Sequence, residues 1–280
     1  MEFRTVIDIP KADFEIAPCE EMLFVGSCFA DAIGQRFREE GFPVTVNPYG
    51  TMYNPVSVLH TIARYTGHPR TVFLTLGTNH VYRLKATGEI VDNCAKRPQS
   101  LFQEEVLSVA ECETALQQAV DLLRQRNPEV RVVLTVSPIR YRKYGYHESQ
   151  LSKATLLLAV DHLLKAEMST LNPQPSPLNL HPSTHYFPSY EIMMDELRDY
   201  RFYAADMLHP SQQAVEYIWE RLVDSCFSAE AKAYLEEWRP LKQALSHKPF
   251  HPDSADYQAF MDKTMLKVDA IRKKYPTFAL

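Results

Sequence analysis

The sequence predicts an α/β fold, namely a three-layer α/β/α sandwich built on a mostly parallel central sheet, with a helical extension at its carboxyl end. Two observations lead to this expectation. Short apolar runs, which are typical of strands buried on both faces, alternate with longer segments of helical spacing. From residue 228 onward the pattern is charged and helical. We therefore expect one domain over residues 1–226 and a helical extension over residues 227–280.

Four apolar runs are predicted to be strands because each is short and continuous. They cover residues 22–27, 43–47, 71–76 and 130–136. The segment 80–93 alternates polar and apolar side chains around Thr87-Gly88, which predicts a β-hairpin. Helices are predicted over residues 29–41, 55–66, 104–126, 148–168, 189–200 and 211–224, and the proline-rich segment 172–188 is predicted to be a loop.

Composition and charge argue against several classes of protein. The 280 residues are 45% hydrophobic and 23% charged, which is typical of a globular chain with a substantial core. Apolar stretches stay below the roughly 18 residues of a membrane span. The net charge is −5 and the basic clusters 140–143 and 272–274 are short, so no nucleic-acid partner is expected. Neither a P-loop nor a dinucleotide-binding glycine motif occurs, so no nucleotide cofactor is expected.

The amino terminus and the cysteines bear on the location of the protein. Residues 1–18 lack the apolar core and the small-residue cleavage site of a signal peptide. The cysteines form no Cys-x-x-Cys pair, and their odd, scattered set predicts reduced thiols and a cytoplasmic protein. These cysteines are Cys19, Cys28, Cys94, Cys112 and Cys226.

A candidate nucleophile follows the first predicted strand. Ligands of parallel sheets bind outside the carboxyl ends of the strands, and Gly26, Gly50 and Gly77 lie at or near three such ends. Ser27 follows Gly26 at a strand-to-helix turn, where a hydroxyl is exposed beside the positive end of a helix. The same position suits a serine that only caps the helix. The neighbouring Cys28 is an alternative nucleophile, because a helix amino terminus can lower the pKa of a thiol.

Two further segments contain side chains suited to acyl-transfer chemistry. The Asn79 amide follows the third strand and can donate a hydrogen bond to an oxyanion, or it can satisfy the turn backbone. Asp206 and His209 are three positions apart near a helix start, so the carboxylate can accept from one ring nitrogen of His209. The other ring nitrogen is then available to take the proton of Ser27. The alternative is a surface histidine beside a capping aspartate.

Several separated blocks of the sequence carry a family resemblance. The blocks FVGSCFADAIG, VNPYGTMYNP, FLTLGTNHVY, TVSPIR and YFPSYEIMMDELRDYRFYAADMLHPS closely resemble the GSCFA family, a member of the SGNH/GDSL hydrolase-like superfamily. The match runs from about residue 20 to about residue 225. It implies the α/β/α sandwich of SGNH hydrolases, with flavodoxin-like winding.

The resemblance also implies roles for individual residues. Ser27 corresponds to the nucleophile, and Asp206 and His209 match the superfamily's Asp-x-x-His pattern. The implied oxyanion hole comprises the N–H of Ser27, the N–H of Gly50 and the Asn79 side chain. Two positions depart from the superfamily pattern: Gly-Ser-Cys stands where Gly-Asp-Ser is usual, and His80 stands where aspartate is usual.

The implied activity is that of a serine esterase, acyl hydrolase or acyltransferase acting on a small oxygen ester, including one linked to a carbohydrate. The alternative is a non-catalytic module that binds a carbohydrate or another ligand on the same fold. Cys28, His80, Arg140 and Tyr190 are candidates for substrate binding. Arg140 suits an anionic group of the substrate, and a structural ion pair suits it equally.

No metal site is expected. His181 and His185 have a metal-like spacing, but they lie in a proline-rich segment without a helix to align the two rings.

Overall fold

Five parallel strands form the central sheet of the computed structural model, which describes residues 4–170 and 184–280. The strands, in chain order, are β1 (Met22–Gly26), β2 (Val44–Val46), β3 (Thr71–Leu76), β4 (His80–Leu84), β5 (Ile90–Val91), β6 (Phe102–Val106), β7 (Arg131–Val136) and β8 (Thr184–Tyr186). The central order is β2-β1-β3-β7-β8. This is the flavodoxin-like winding, so the predicted fold class is confirmed.

Helices cover both faces of this sheet. They are α1 (Cys28–Glu39), α2 (Pro55–Arg64), α3 (Val109–Arg126), α4 (Tyr146–Thr170), the short α5 (Ser189–Glu191), α6 (Gln212–Cys226), α7 (Ala229–Ser246) and α8 (Ala255–Lys274). Buried residues of α1, α6 and α7 pack in one core cluster, and those of α2, α3 and α4 pack in the other. No helix in residues 4–170 or 184–280 is long and apolar enough to cross a membrane.

Strand register assigns the apolar side chains to these two cores. Phe24 pairs with Phe73, and Phe73 pairs with Val133, all facing the α1 side. The Phe24 and Phe73 rings stack at 4.6 Å between centroids. The alternate residues of the same strands face the α2 side. Because both faces are covered, these strands are mostly apolar, which is why they could be predicted from the sequence.

Three predicted segments differ from the structure. The helix predicted over 104–126 begins at Val109, because Ser108 caps it and residues 102–106 form β6, which pairs antiparallel with β4. Residues 184–186, inside the predicted loop 172–188, form β8 on the edge of the sheet beside β7. The helix predicted over 189–200 is shortened to α5 and a π-helical turn, Ile192–Glu196.

The carboxyl-terminal helices pack on the same core as α1. Trp238 of α7 is 1% exposed, and its Nε1 donates to the Glu39 carbonyl at 3.0 Å. The Tyr234 hydroxyl donates to the Glu40 carbonyl. The two carbonyls lie at the end of α1, where no later N–H of the helix can donate to them. The bonds from Trp238 and Tyr234 satisfy them. The segment predicted as an extension therefore closes one side of the sandwich.

Gly26 ends β1 in a conformation that needs glycine. Its φ is +143°, and a Cβ built on it would lie 2.1 Å from the carbonyl oxygen of Thr75 on β3. The Gly26 N–H donates to Asn47 Oδ1 at 2.9 Å. The close approach of β1 and β3 lets the chain turn directly into α1.

We expect Gly26→Ala to lower the free energy of unfolding by about 3 kcal/mol, because it adds a backbone clash to the cost of a positive φ. Chemical denaturation measures this loss. Gly88→Ala is the matched control: Gly88 has a φ of +74° with open space around its Cβ position, and we expect a loss of about 1 kcal/mol there. Equal losses at the two positions would show that the approach to Thr75 does not limit the residue at 26.

Candidate active site

The loops at the carboxyl edge of the sheet enclose a small cavity. Backbone hydrogen bonds join them: Gly77 N donates to the Tyr53 carbonyl at 2.9 Å, and Arg140 N donates to the Leu208 carbonyl at 3.1 Å. The cavity has a volume of about 280 Å³. It is lined by Ser27, Cys28, Tyr53, Gly77, Ser137, Ile139, Arg140, Tyr141, Arg142, Lys143, Leu208 and His209.

A second cavity, of about 680 Å³, is larger but lies elsewhere. It is lined by residues near β8, including His185 and Tyr186. Ser27 and His209, two of the three residues that the sequence marks as catalytic, line the smaller cavity, and Asp206 is hydrogen-bonded to His209. We therefore place the candidate active site there.

Asp206 and His209 form a tight pair at the rim of the site. Asp206 Oδ2 lies 2.5 Å from His209 Nδ1. Asp206 Oδ1 accepts from the backbone N–H of His209 at 3.0 Å and of Leu208 at 2.9 Å, a turn that places Met207 at a φ of +59°. The backbone N–H of His209, that of Leu208 and the His209 ring lower the pKa of Asp206 to about 2. Its carboxylate holds a proton on Nδ1 and leaves Nε2 as an acceptor.

The second ring nitrogen of His209, Nε2, contacts Cys28 and not Ser27. His209 Nε2 lies 3.4 Å from Cys28 Sγ. The Ser27 hydroxyl lies 3.1 Å from Thr75 Oγ1, accepts from the Phe29 N–H at 3.3 Å and is the N-cap of α1. The expected contact between Ser27 and His209 is therefore not formed, because two neighbours at a helix start point in different directions.

The sequence contained a signal for this outcome. In the superfamily's Gly-Asp-Ser pattern the nucleophile is the third residue, and in Gly26-Ser27-Cys28 the third residue is the cysteine. Aligning the motif by position instead of by residue type would have selected Cys28.

Burial raises the pKa of the Cys28 thiol above its usual value, although the residue's own backbone N–H lowers it in part. A raised pKa keeps the thiol protonated at neutral pH. The sulfur would need a base to become a nucleophile, and His209 Nε2 is in contact with it.

The implied oxyanion-hole donors are engaged elsewhere. Ser27 N donates to the Thr75 carbonyl at 3.0 Å, and Gly50 N donates to the Asn47 carbonyl at 2.9 Å. Asn79 Nδ2 donates to the Leu107 carbonyl at 2.7 Å. Gly50 and Asn79 also lie outside the set of residues that line the cavity. This expectation differs from the structure because each donor satisfies a backbone carbonyl of a turn or strand end.

The candidate substrate-binding residues lie in different places. Arg140 and Cys28 line the cavity. Tyr190 lies behind it, with its hydroxyl in contact with Arg140 Nη1 at 3.3 Å. His80 is buried against Tyr144, with their ring centroids 3.7 Å apart, and burial lowers the pKa of its imidazole. His80 lies outside the cavity lining and packs on Tyr144, whose ring centroid is 5.2 Å from that of the lining residue Tyr141.

Lys153 is a buried site residue that the sequence analysis missed. Its side chain is 2% exposed, and Nζ donates to the Gly77 carbonyl at 2.7 Å and the Ser137 carbonyl at 2.8 Å. It thereby joins the ends of β3 and β7. Burial, with a smaller contribution from the charge of Arg140, lowers the pKa of Lys153 to about 7. The helical spacing of Ser149, Ser152 and Lys153 was the available signal, because it places three polar side chains on one face of α4.

Residues 4–170 and 184–280 contain no group of three His, Cys, Asp or Glu side chains placed to hold an ion. His185 packs edge-on against Phe14, and His181 lies outside the described residues.

Family models match two parts of this chain. The model of the GSCFA family matches residues 21–71 and 64–222, and these matches contain Cys28, Asp206 and His209. The chain belongs to the GSCFA family. The model of the GSCFA C-terminal domain matches residues 238–280, which contain the second half of α7 and all of α8. The helices that pack against α1 are thus part of a recognised GSCFA unit.

No curated protein is similar enough to this GSCFA chain to count as a match. Among solved structures, it resembles a carbohydrate esterase of family 3 from Talaromyces cellulolyticus, with 11% identity, coverage of 72% of this chain and 94% of the other, and a TM-score of 0.42. An acetyl esterase solved with acetate has 12% identity, coverage of 81% and 100%, and a TM-score of 0.43. An acetyl xylan esterase from Butyrivibrio proteoclasticus has 11% identity, coverage of 75% and 63%, and a TM-score of 0.42.

We expect the pH dependence of stability to change in Lys153→Met. The pKa of Lys153 is about 7 in the folded protein and 10.5 for an ordinary lysine. Between these two pH values the folded state therefore binds fewer protons than the unfolded state. Wild-type stability therefore rises with pH from about 7 to about 10 relative to the variant, by about 3 kcal/mol. Urea unfolding at both pH values measures the difference.

Lys165→Met is the matched control, since Lys165 lies on the same helix with its side chain 71% exposed. It reports the effect of removing an exposed lysine. A stability difference between wild type and Lys153→Met that stays constant across the window would contradict the lowered pKa.

Proposed function

We propose that this GSCFA protein hydrolyses or transfers a small acyl group from an oxygen ester by nucleophilic catalysis at Cys28. His209 acts as the base, and Asp206 positions His209. One observation carries the proposal: His209 is held by Asp206 through Nδ1 and contacts Cys28 Sγ through Nε2 at 3.4 Å. The superfamily resemblance supports an ester as the reacting group, with cysteine in place of serine.

The proposed reaction proceeds through a thioester. His209 Nε2 removes the thiol proton as Cys28 Sγ attacks the ester carbonyl carbon. The tetrahedral intermediate expels the alkoxide, which takes the proton from His209 and leaves as an alcohol. Water or an acceptor alcohol such as a sugar then attacks the thioester and gives its proton to His209. The carbon–sulfur bond breaks, and the thiolate recovers the proton.

A different oxyanion donor accompanies the new nucleophile. Cys28 is the first residue of α1, and N–H groups of a first helical turn have no carbonyl partner within the helix. The Cys28 N–H lies near its own sulfur, since it lowers the thiol pKa. The positive end of α1 also favours negative charge there. These features support stabilisation of the oxyanion by Cys28 N–H.

The site is open to water or to an acceptor. The side chains of His209 and Asp206 are 44% and 45% exposed. Tyr53 and Tyr141 line the cavity with their ring centroids 6.0 Å apart. Both hydrolysis and transfer to an alcohol therefore fit the accessible side of the site.

We expect Cys28→Ala to lower kcat/KM for short-chain aryl esters by about 1,000-fold or more, because it removes the nucleophile. We expect Ser27→Ala to lower it by less than about tenfold, since it removes a helix cap. Rapid-mixing kinetics and mass spectrometry of the acyl-enzyme measure both effects. The acyl group is expected on the peptide that contains Cys28, and its amount should fall in His209→Ala.

The same experiment separates the two nucleophiles. A fluorophosphonate adduct on Ser27 that requires His209, with activity retained in Cys28→Ala, would replace the cysteine assignment with the serine one. The experiment is made in a Cys94→Ser background, because Cys94 is the other partly exposed thiol of the described residues.

A non-catalytic binding module is the second candidate. It is favoured by one observation, the engagement of all three implied oxyanion donors with backbone carbonyls. A carbohydrate bound with equal affinity by wild type and His209→Ala, without acyl release from either, would support this module.

A further inference from the structure

We propose that the acyl donor carries an anionic group, a carboxylate or a phosphate, and that Arg140 binds this group inside the cavity. The inference rests on the proposed function for the reacting bond, and it adds the chemical class of the substrate. Arg140, Cys28 and His209 all line the same cavity of about 280 Å³. A substrate that fills it contacts all three side chains.

The Arg140 guanidinium has unused hydrogen-bond donors. In the described part of the chain its side-chain bonds run from Nη1 to the Tyr190 hydroxyl at 3.3 Å and to Met194 Sδ at 3.7 Å. A guanidinium has five N–H donors, so those on Nε and Nη2 remain without a protein acceptor there. Nε and Nη2 form the planar fork that binds carboxylate or phosphate through two parallel hydrogen bonds.

The cavity has an excess of positive charge in a chain that is negative overall. Its lining includes Arg140, Arg142 and Lys143 and, among the described residues, no carboxylate; the Asp206 carboxylate at the rim is paired with His209. Lys143 has a counter-ion, Glu104 Oε2, at 3.5 Å. The net charge of the chain is −5. A positive cavity on a negative protein attracts anions locally while the rest of the surface repels them.

The buried amine of Lys153 lies close enough to Arg140 for the charge of Arg140 to affect its pKa. After burial, Arg140 is the next cause that lowers the pKa of Lys153. Arg140 and the protonated form of Lys153 repel each other. An anion bound to Arg140 would reduce this repulsion, so the arrangement favours a negatively charged occupant.

Arg140 is held in a defined position relative to the candidate nucleophile. Its backbone N–H donates to the Leu208 carbonyl at 3.1 Å, next to His209 in the chain. Tyr190, the partner of its side chain, is also in contact with Gln150. The cavity volume of about 280 Å³ corresponds to about nine water molecules in the liquid. The charged group therefore belongs to a small acyl moiety and lies close to the reacting carbonyl.

The kinetic test compares two esters with the same leaving group and similar acyl length, a neutral butyryl ester and a succinyl monoester. We expect wild type to prefer the succinyl ester by about 30-fold in kcat/KM, and Arg140→Met to lose that preference. Arg140→Lys should recover part of it, because the charge is present without the fork. Arg198→Met, which removes a cation with a 68% exposed side chain, should keep the wild-type ratio.

A binding test separates this inference from the proposed reaction. Calorimetry with succinate and with inorganic phosphate should show binding to wild type and at least about tenfold weaker binding to Arg140→Met. Binding of phosphate alone would identify a phosphorylated donor. Anion binding through Arg140 without turnover of any ester would support the anion site and overturn the proposed reaction. Ester turnover with no anion preference and no anion binding would overturn the anion site alone.

Discussion

The close approach of β1 and β3 at Gly26 and Thr75 is the constraint on which the candidate site depends. The Thr75 carbonyl lies where a side chain at 26 would be, and it accepts the N–H of Ser27 at 3.0 Å. The Thr75 hydroxyl meets the Ser27 hydroxyl at 3.1 Å. These contacts hold Ser27 as the cap of α1 and make Cys28 its first helical residue. The direction of Cys28 toward His209 follows from that geometry.

At the carboxyl edge of the sheet, the buried polar residues that stabilise the strand ends differ from the accessible residues proposed to react. Ser27, Asn79 and Lys153 are at most 2% exposed, and their polar atoms satisfy carbonyls and hydroxyls at strand ends. Burying such groups is tolerated where they find partners; Asn79 Nδ2 has one, whereas Asn79 Oδ1 has none among the described residues. Cys28 and His209 lie at the accessible rim, where a substrate can reach them. The GSCFA motifs thus contain both kinds of residue, and motif membership alone does not say which residues react.

Sequence patterns predicted the central strands and most helices because both signals are local. The runs that became β1, β3 and β7 are mostly apolar, since helices cover both faces of the sheet. The misassigned segments depend on distant partners. β6 has exposed side chains and exists through its pairing with β4, and the three-residue β8 exists through its pairing with β7. Short pairings of this kind leave little periodicity to detect.

The sequence by itself determined the α/β winding, the edge at which side chains converge, and the pairing of Asp206 with His209, which are three positions apart. Such a pair needs only one local turn. The tertiary structure decided which neighbour at the start of α1 meets His209, because that contact joins residues 181 positions apart. It also decided that the implied oxyanion donors serve the backbone. These outcomes depend on side-chain directions at strand ends, which are set by contacts between distant segments and leave no spacing in the sequence.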